Sequence, residues 1–339
     1  MEVRRIDPHD DAAFSAWFSV LSTTDRERWP GLPGWQRVER LAMALDEVGP
    51  EEHQCLSAFS DGHVVGIADI EMYRRENPHL ARVDIRVQPD VRRRGVGSAL
   101  LAEAERIAVG AGRSETGGMG ETPVREGVRD SVKEFAARHG YRPAMGMVGR
   151  RLTLPLAAAH RESLVGNPKA HPDGYTMLTF ADRWPEAYMA DRCELGRRMS
   201  TDIPKGDQDL DEEMWDEDRV RHIEQHLAAQ DRAKLTTAAR DVRTGRLVAF
   251  TEIAIPLGAP EATWQHDTLV MREHRGNALG FAVKLANVLA LQDAFPRARA
   301  INTWNAVDNL HMIAINEAMG FNVVSSSVYW LKLLDTGTG

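Results

Sequence analysis

Three arginines, Arg92, Arg93 and Arg94, run into Gly95, Val96, Gly97 and Ser98, spelling R-x-x-G-x-G. The chemistry offered is anion binding. The alternating run Val83–Val87 before the turn predicts a strand ending at Val87, and the Ala/Leu/Glu-rich run after it predicts a helix over about Gly97–Ala108. A tight turn between strand and helix leaves the first N–H groups of the helix without intrahelical partners. Glycines there let a phosphate approach the backbone. A dinucleotide-binding turn does not fit, because the third glycine of G-x-G-x-x-G is missing and no ribose-binding acid follows; the Walker pattern is absent as well.

A second copy lies about 180 residues on. Val270 ends a predicted strand Thr263–Val270, and Arg275, Gly276, Asn277, Ala278, Leu279 and Gly280 lead into a predicted helix Gly276–Leu291. Here Glu273 is read in the first slot and Ala278 in the last, with Arg275, Gly276 and the backbone of 277–280 as the anion ligands.

Carboxylates on the strands beside this second turn offer proton transfer. Glu252 interrupts the apolar run Phe250–Ile255, and Asp267 follows Gln265 by two residues, which places both on one strand face. A carboxylate beside such a turn can take the proton of an attacking nucleophile, and either of these would serve as its base. Both also suit a solvent-facing edge or a structural hydrogen-bond network. Asp69, Glu71 and Asp84 are their analogues in the first half, with Arg74, Arg75, Arg82 and Arg86 nearby in sequence. His222 and His226 stand one helical turn apart, but Glu224 between them breaks the H-E-x-x-H order, and no metal is expected. Nine acids between Asp202 and Asp218 face Lys205 alone. That segment lacks the glycine and terminal glutamate of an EF-hand.

The turn at 92–97 resembles the pyrophosphate-binding turn of the GNAT N-acetyltransferase superfamily, and its repetition resembles the tandem two-domain members found in actinobacteria, an architecture mycothiol synthase shares. Many GNAT domains also carry N-x-x-A-x-x-x-Y-x-x-x-G-F after the fifth strand. Asn309, Gly320 and Phe321 match in register, with Met312 in the small-residue slot and Asn316 in that of the tyrosine general acid. Anchored on Gly140-Tyr141, the first half places Arg129 and Ala136 in the asparagine and tyrosine slots. The resemblance implies an α/β mixed, splayed sheet in two tandem GNAT folds. It implies acetyl-CoA as donor, with its pantetheine arm between the fourth and fifth strands, and direct transfer to an amine in a ternary complex. Val87, Arg92–Ser98, Val270, Arg275–Gly280 and Asn309 would hold the donor, and Glu252, Asp267 and Asn316 would serve the chemistry. Two rival readings are acetylation of a thiol-precursor amine, as in mycothiol synthesis, and an acyl-CoA sensor without turnover.

Two sets of elements must position these residues. The pattern predicts one βααβββαβαβ unit per half: residues 1–155, a linker over 156–173 with prolines and polar residues, and residues 174–339. In the first half, Asp10 and Asp11 sit where a helix cap belongs, Ser60-Asp61-Gly62 predicts a hairpin turn, and the glycine-rich 113–122 makes a poor fifth strand. A strand pair over Tyr141–Leu154 would close that half, and Phe321–Leu334 the second. At 339 residues, 43% apolar and 27% charged, the chain suits two globular domains. A net charge of −8 excludes a nucleic-acid footprint. No apolar leader or membrane-length run is present, and Cys55 and Cys193 have no evident pairing, so a cytoplasmic enzyme away from membranes is expected. The acidic segment predicts a small cationic amine acceptor.

Overall fold

The computed structural model describes residues 1–30, 32–124 and 131–335. The first strand β1 (Glu2–Arg5) leads to helices α1 (Asp11–Arg28) and α2 (Arg37–Ala44). Asp10 caps α1 as its position predicts, its carboxylate accepting from the N–H groups of Ala12 and Ala13. The hairpin β2 (Glu51–Ser60) and β3 (His63–Tyr73) turns at Asp61 and Gly62, both left-handed, as a right-twisted hairpin demands. Then come β4 (Leu80–Val87), α3 (Val96–Gly110), β5 (Glu115–Pro123), α4 (Ser131–Arg138) and β6 (Arg142–Thr153). The Arg129 slot and the predicted start of α4 at Val128 lie outside the described residues.

The second series is α5 (Ala158–Val165), β7 (Tyr175–Ala181), α6 (Met189–Asp202), α7 (Glu217–Ala229), β8 (Arg232–Asp241), β9 (Leu247–Pro256) and β10 (Ala262–Val270). It ends with α8 (Leu279–Ala294), β11 (Ala300–Ala306), α9 (Leu310–Ala318) and β12 (Asn322–Leu333).

Two compact units result, and they interleave in sequence. The first comprises Met1–Gly146, Gly206–Leu210 and the chain from Ser326 on, the second Met147–Lys205 and Asp211–Ser325. They therefore differ from consecutive halves. The first unit's sheet runs β1-β2-β3-β4-β5 and ends on the C-terminal part of β12. The second unit's runs β7-β8-β9-β10-β11 and ends on the later part of β6, where Met147↔Ala306 through Thr153↔Ala300 pair antiparallel. Alternation makes β6 and β12 strands in either partnership; only tertiary pairing decides which sheet takes them. The segment 156–173, expected as a linker, carries α5, and Leu154, Leu156 and Leu164 are buried in the second unit's core.

The glycines of the weak-looking β5 have a packing reason. A Cβ at Gly117 would collide with the Tyr329 hydroxyl of β12, and one at Gly118 would lie 2.5 Å from the Val83 carbonyl oxygen. Large side chains are excluded there because other groups already fill the space.

In the first unit, β3 divides its side chains by period two. Ile67 packs with Phe14, Trp17 and Leu21 of α1, whereas Ala68, Ile70 and Met72 pack with Leu100 and Ala104 of α3. The second unit repeats the scheme: Phe250 of β9 packs with Leu195 of α6 and Val220 of α7, whereas Ile253 and Ile255 pack with Phe281 and Leu285 of α8. Each sheet is thus buried on both faces, and a charged group on either face must find a partner.

Candidate active site

Both turns follow a strand that has just lost a neighbour. β4 pairs with β5 in parallel over three residues only, Leu80↔Glu115 to Arg82↔Gly117, and β10 pairs with β11 over Ala262↔Ala300 to Trp264↔Asn302. Beyond those pairs the strands part. The exposed backbone edges form a slot that ends at the helix N-terminus.

At the first turn, Arg92 Nε donates to the Val87 carbonyl oxygen at 3.1 Å. Arg93 and Gly95 both take left-handed backbone (φ 65° and 86°), and Gly95 caps α3. At the second turn, Arg275 Nε donates to the Val270 carbonyl oxygen at 3.2 Å, with Gly276 and Ala278 left-handed (φ 86° and 57°) and Ala278 capping α8. The two loops are therefore the same loop. Arg275 stands for Arg92, Gly276 for Arg93, Ala278 for Gly95 and Gly280 for Gly97. This corrects the sequence register, which set Glu273 in the first slot and Ala278 in the last. The signal was present: each arginine lies five residues after the valine that ends its strand.

No backbone N–H from Arg93 to Ser98 has a partner among the described residues, and a Cβ at Gly95 would meet nothing within 4 Å. The guanidiniums are less available. Arg92 pairs with Glu27 (2.9 Å) and Arg93 with Glu134 (3.0 Å). Ser98 Oγ lies 3.0 Å from His139 Nε2. The second turn opens onto a cleft of about 260 Å³ lined by Val270, Arg275, Gly276, Ala278, Leu279 and Gly280. Its lining also includes Lys169, His274 and His311, which sequence reasoning did not single out. A cradle of unpaired N–H groups, a left-handed cap and basic side chains suits a pyrophosphate.

The two carboxylates part company. Glu252 is buried, and its Oε1 accepts from Lys234 Nζ (3.1 Å), Trp184 Nε1 (3.1 Å) and Thr236 Oγ1 (3.2 Å). Burial would raise its pKa, but Lys234 and Arg192 outweigh that and hold it down at about 2. Held so, Glu252 is a counter-ion with no basicity near neutral pH. The first unit has the matching pair, Asp69 with His53 (3.0 Å) and Arg40, at the equivalent strand positions.

Asp267 sits where β10 bulges, in the register shift between Gln265 and Thr268 opposite β9. The half-buried carboxylate has no hydrogen-bond or ion-pair partner among the described residues. Burial and the nearby Glu252 carboxylate push its pKa up to about 6. Such a group is ionised, yet still basic, at neutral pH. Its counterpart Asp84 lies on a β4 that pairs with β3 without a bulge, and Arg86 holds it at 2.9 Å.

Asn316 is fully buried, and its Nδ2 donates to Asn305 Oδ1 at 2.6 Å. A carboxamide so held gives no proton to a leaving group. Asn309 caps α9, its Oδ1 accepting from the Met312 N–H at 3.2 Å. The acids of 202–218 are largely engaged: Asp202 with Arg272 (3.1 Å) and Arg275 (3.4 Å), Asp207 with Arg142 (3.3 Å), Glu212 with Arg197 (2.6 Å) and Glu213 with Arg219 (3.3 Å). Asp216 caps α7. Few charges remain to attract a cation. His222 and His226 stack at 5.8 Å along α7.

Residues 14–119 match the family described as Acetyltransferase (GNAT) family. Mycothiol acetyltransferase of Geodermatophilus obscurus is 30% identical over 157 residues, 45% of this chain and 44% of that protein. The enzyme of the same name from Nocardia farcinica is 31% identical over 143 residues, 42% and 41% of the two chains. The match thus spans less than half the length of these curated relatives. A tandem GNAT protein from the clavulanic acid biosynthesis pathway superposes with a TM-score of 0.80 at 26% identity, covering 98% of both chains. A GCN5-related N-acetyltransferase from Sphaerobacter thermophilus shares the fold, with a TM-score of 0.66 at 16% identity over 98% of this chain and 95% of that one. No described helix is long and apolar enough to cross a membrane.

Proposed function

Since the chain belongs to the GNAT acetyltransferases in their tandem-domain form, we propose that its second unit transfers the acetyl group of acetyl-CoA to an amine. The observation that carries this reading is Asp267 on the β10 bulge, unpaired and with a pKa of about 6, beside a slot that ends in the α8 turn. Acetyl-CoA supplies an activated acyl thioester when bound.

The chain's own groups do the rest. N–H groups at the start of α8 hold the pyrophosphate, and Arg275, clamped to Val270, fixes the loop that presents them. Beyond Trp264, the edge of β10 that faced β11 has lost its ladder, so its N–H groups are free to bind the arm and the carbonyl oxygen that becomes negative. Asp267 takes the proton from the incoming ammonium, directly or through one water, and releases the neutral nucleophile. No general acid is needed for a thiolate whose conjugate acid has a pKa of about 8.5, in keeping with Asn316 and Ala136 in the tyrosine slots.

In the first unit the N–H cradle is present, but Asp84 is consumed by Arg86. That favours donor binding there without turnover. CoA release from acetyl-CoA, measured with a panel of amines, tests the whole reading. Absence of release with every amine, from a protein that binds CoA, would establish the sensor reading instead.

A further inference from the structure

Arg192 of α6 is buried, and among the described residues it has no ion pair. It is 3% exposed, and its Nε and Nη1 have no hydrogen-bond partner there; Nη2 is not enclosed in this way. Aromatic rings surround the guanidinium instead. Its Cζ lies 4.2 Å from the Trp215 ring centre, 5.2 Å from that of Phe250 and 5.3 Å from that of Trp184. One turn along α6, Gly196 makes the room: a Cβ there would lie 2.4 Å from Trp215 and 2.7 Å from Arg192 Nη1. The rings fix the guanidinium but leave its N–H donors unused, and a buried charge in that state is costly.

The carboxylate at the same aromatic wall is already engaged. Trp184 Nε1 donates to Glu252 at 3.1 Å, and Lys234 holds that carboxylate at 3.1 Å. Strand register gives the place of Arg192 on the sheet. Phe250, against the guanidinium, pairs with Leu269 of β10, and both pack with Leu195 of α6 and Val220 of α7. Asp267 stands two residues before Leu269 and so shares that face. Phe250 and Asp267 are therefore diagonal neighbours across the strand pair, ~7–8 Å apart. An unpaired cation and an unpaired carboxylate thus stand on one face, and they form no ion pair with each other.

We propose that Arg192 binds a carboxylate of the acceptor, and that the acceptor is an amino acid whose amine lies at Asp267. The proposal rests on the acetyl-transfer reading above and adds the chemical class of the acceptor and the residue that selects it. The diagonal is short, so the carboxylate must stand close to the amine, as in an α- or β-amino acid. This acceptor replaces the cationic amine, whose basis in the acidic segment is spent in ion pairs.

α- and β-Amino acids, each paired with the amine that lacks the carboxylate, form the test series for the full chain with acetyl-CoA. kcat/KM should favour the amino acid about tenfold, the scale of one charge-assisted hydrogen bond. In Arg192→Met that preference should fall to about one, and Arg192→Lys, which keeps the charge without the planar fork, should restore part of it. Arg192→Met should also raise Tm, because an apolar chain replaces an unpaired buried charge, so a lost preference is not a lost fold. Calorimetric titration of the same amino acids in the presence of CoA reads binding without turnover, and Arg192→Met should weaken their Kd about tenfold. If the amines turn over but the carboxylate brings no preference, or the folded Arg192→Met keeps it, the proposal is overturned and Arg192 is a core cation only. If no amine turns over, the transfer reading fails and the titration alone decides. Binding weakened in Arg192→Met upholds the carboxylate site; no binding, or binding unchanged in the variant, overturns it.

Discussion

Asp84 and Asp267 occupy the same place in the two units, three residues before the valine whose carbonyl oxygen receives the arginine of the turn. Arg86 neutralises Asp84 at 2.9 Å and lies 3.7 Å from Asp25, whereas Asp267 has Leu269 at the position of Arg86 and no ion pair among the described residues. One strand position is thus a closed salt bridge in the first unit and an open carboxylate in the second.

Asp267→Asn should lower kcat/KM by roughly 10²–10⁴, the range of general-base catalysis, while Asp84→Asn changes it little. Because the acid must be ionised to accept a proton, the wild-type acid limb should rise through about pH 6 and vanish in the variant. The charges that set this limb are Glu252 and Glu213, which raise the pKa, and Arg192 and Lys234, which lower it. A pH profile of kcat/KM for both variants is the measurement, and an unchanged acid limb in Asp267→Asn would remove it as the base.

The turns should divide the labour. Gly276→Asp places a carboxylate on the pyrophosphate cradle of the second unit and should remove most turnover. Gly95→Asp, at the position of Ala278, places a carboxylate on the first unit's cradle and should abolish CoA binding there while sparing more of the activity. CoA binding stoichiometry by calorimetry, set beside steady-state rates, separates the two; the reverse ranking would place catalysis in the first unit.

Equivalence of the caps has a stability signature. Ala278 holds a left-handed backbone at φ 57° where Gly95 holds φ 86°. Ala278→Gly should therefore stabilise the protein by about 1 kcal/mol, and Gly95→Ala should cost a similar amount. Since nothing lies within 4 Å of a Cβ at Gly95, that cost is purely backbone strain. Denaturant midpoints at constant m-value report both.

Glu252→Gln should act on the fold more than on the chemistry. Removing one member of a buried ion pair leaves Lys234 uncompensated, a loss of about 3–5 kcal/mol. The wild-type contribution is present above the ordinary carboxylate pKa of 4.5 and is lost as pH falls toward about 2. Thermal unfolding should show a lowered Tm at pH 7 and a smaller difference at pH 3.

Lys284 is a buried lysine on α8 with no carboxylate beside it among the described residues, its Nζ 5.3 Å from the Phe321 ring centre. Burial pushes its pKa from 10.5 down to about 7. Between those values the unfolded chain binds the proton and the folded protein does not, so stability rises with pH from about 7 to 10. Lys284→Met should raise Tm at pH 7 and flatten that slope; an unchanged slope would assign it to other groups.

Much of this was legible in the sequence. Asp10 as a cap, Asp61-Gly62 as a turn and the arginine-glycine turns follow from local backbone rules, and local rules survive in any tertiary setting. Even the register of the second turn was recoverable from the spacing of Val270 and Arg275. The fates of Glu252, Asp267 and Asn316 were not. Glu252 interrupts an apolar run, Asp267 stands among polar neighbours and Asn316 lies on a helix, and sequence periodicity gives a residue's face without saying what stands opposite it. Lys234, Trp184 and Thr236 reach Glu252 from other elements and make it a counter-ion; a one-residue irregularity between β9 and β10 leaves Asp267 open. Strand partnership was equally hidden. β6 and β12 read as strands in any pairing, and only the tertiary fold assigned the end of each to a unit away from its neighbours in sequence, because hydrogen-bond ladders are made between segments and leave no period within one.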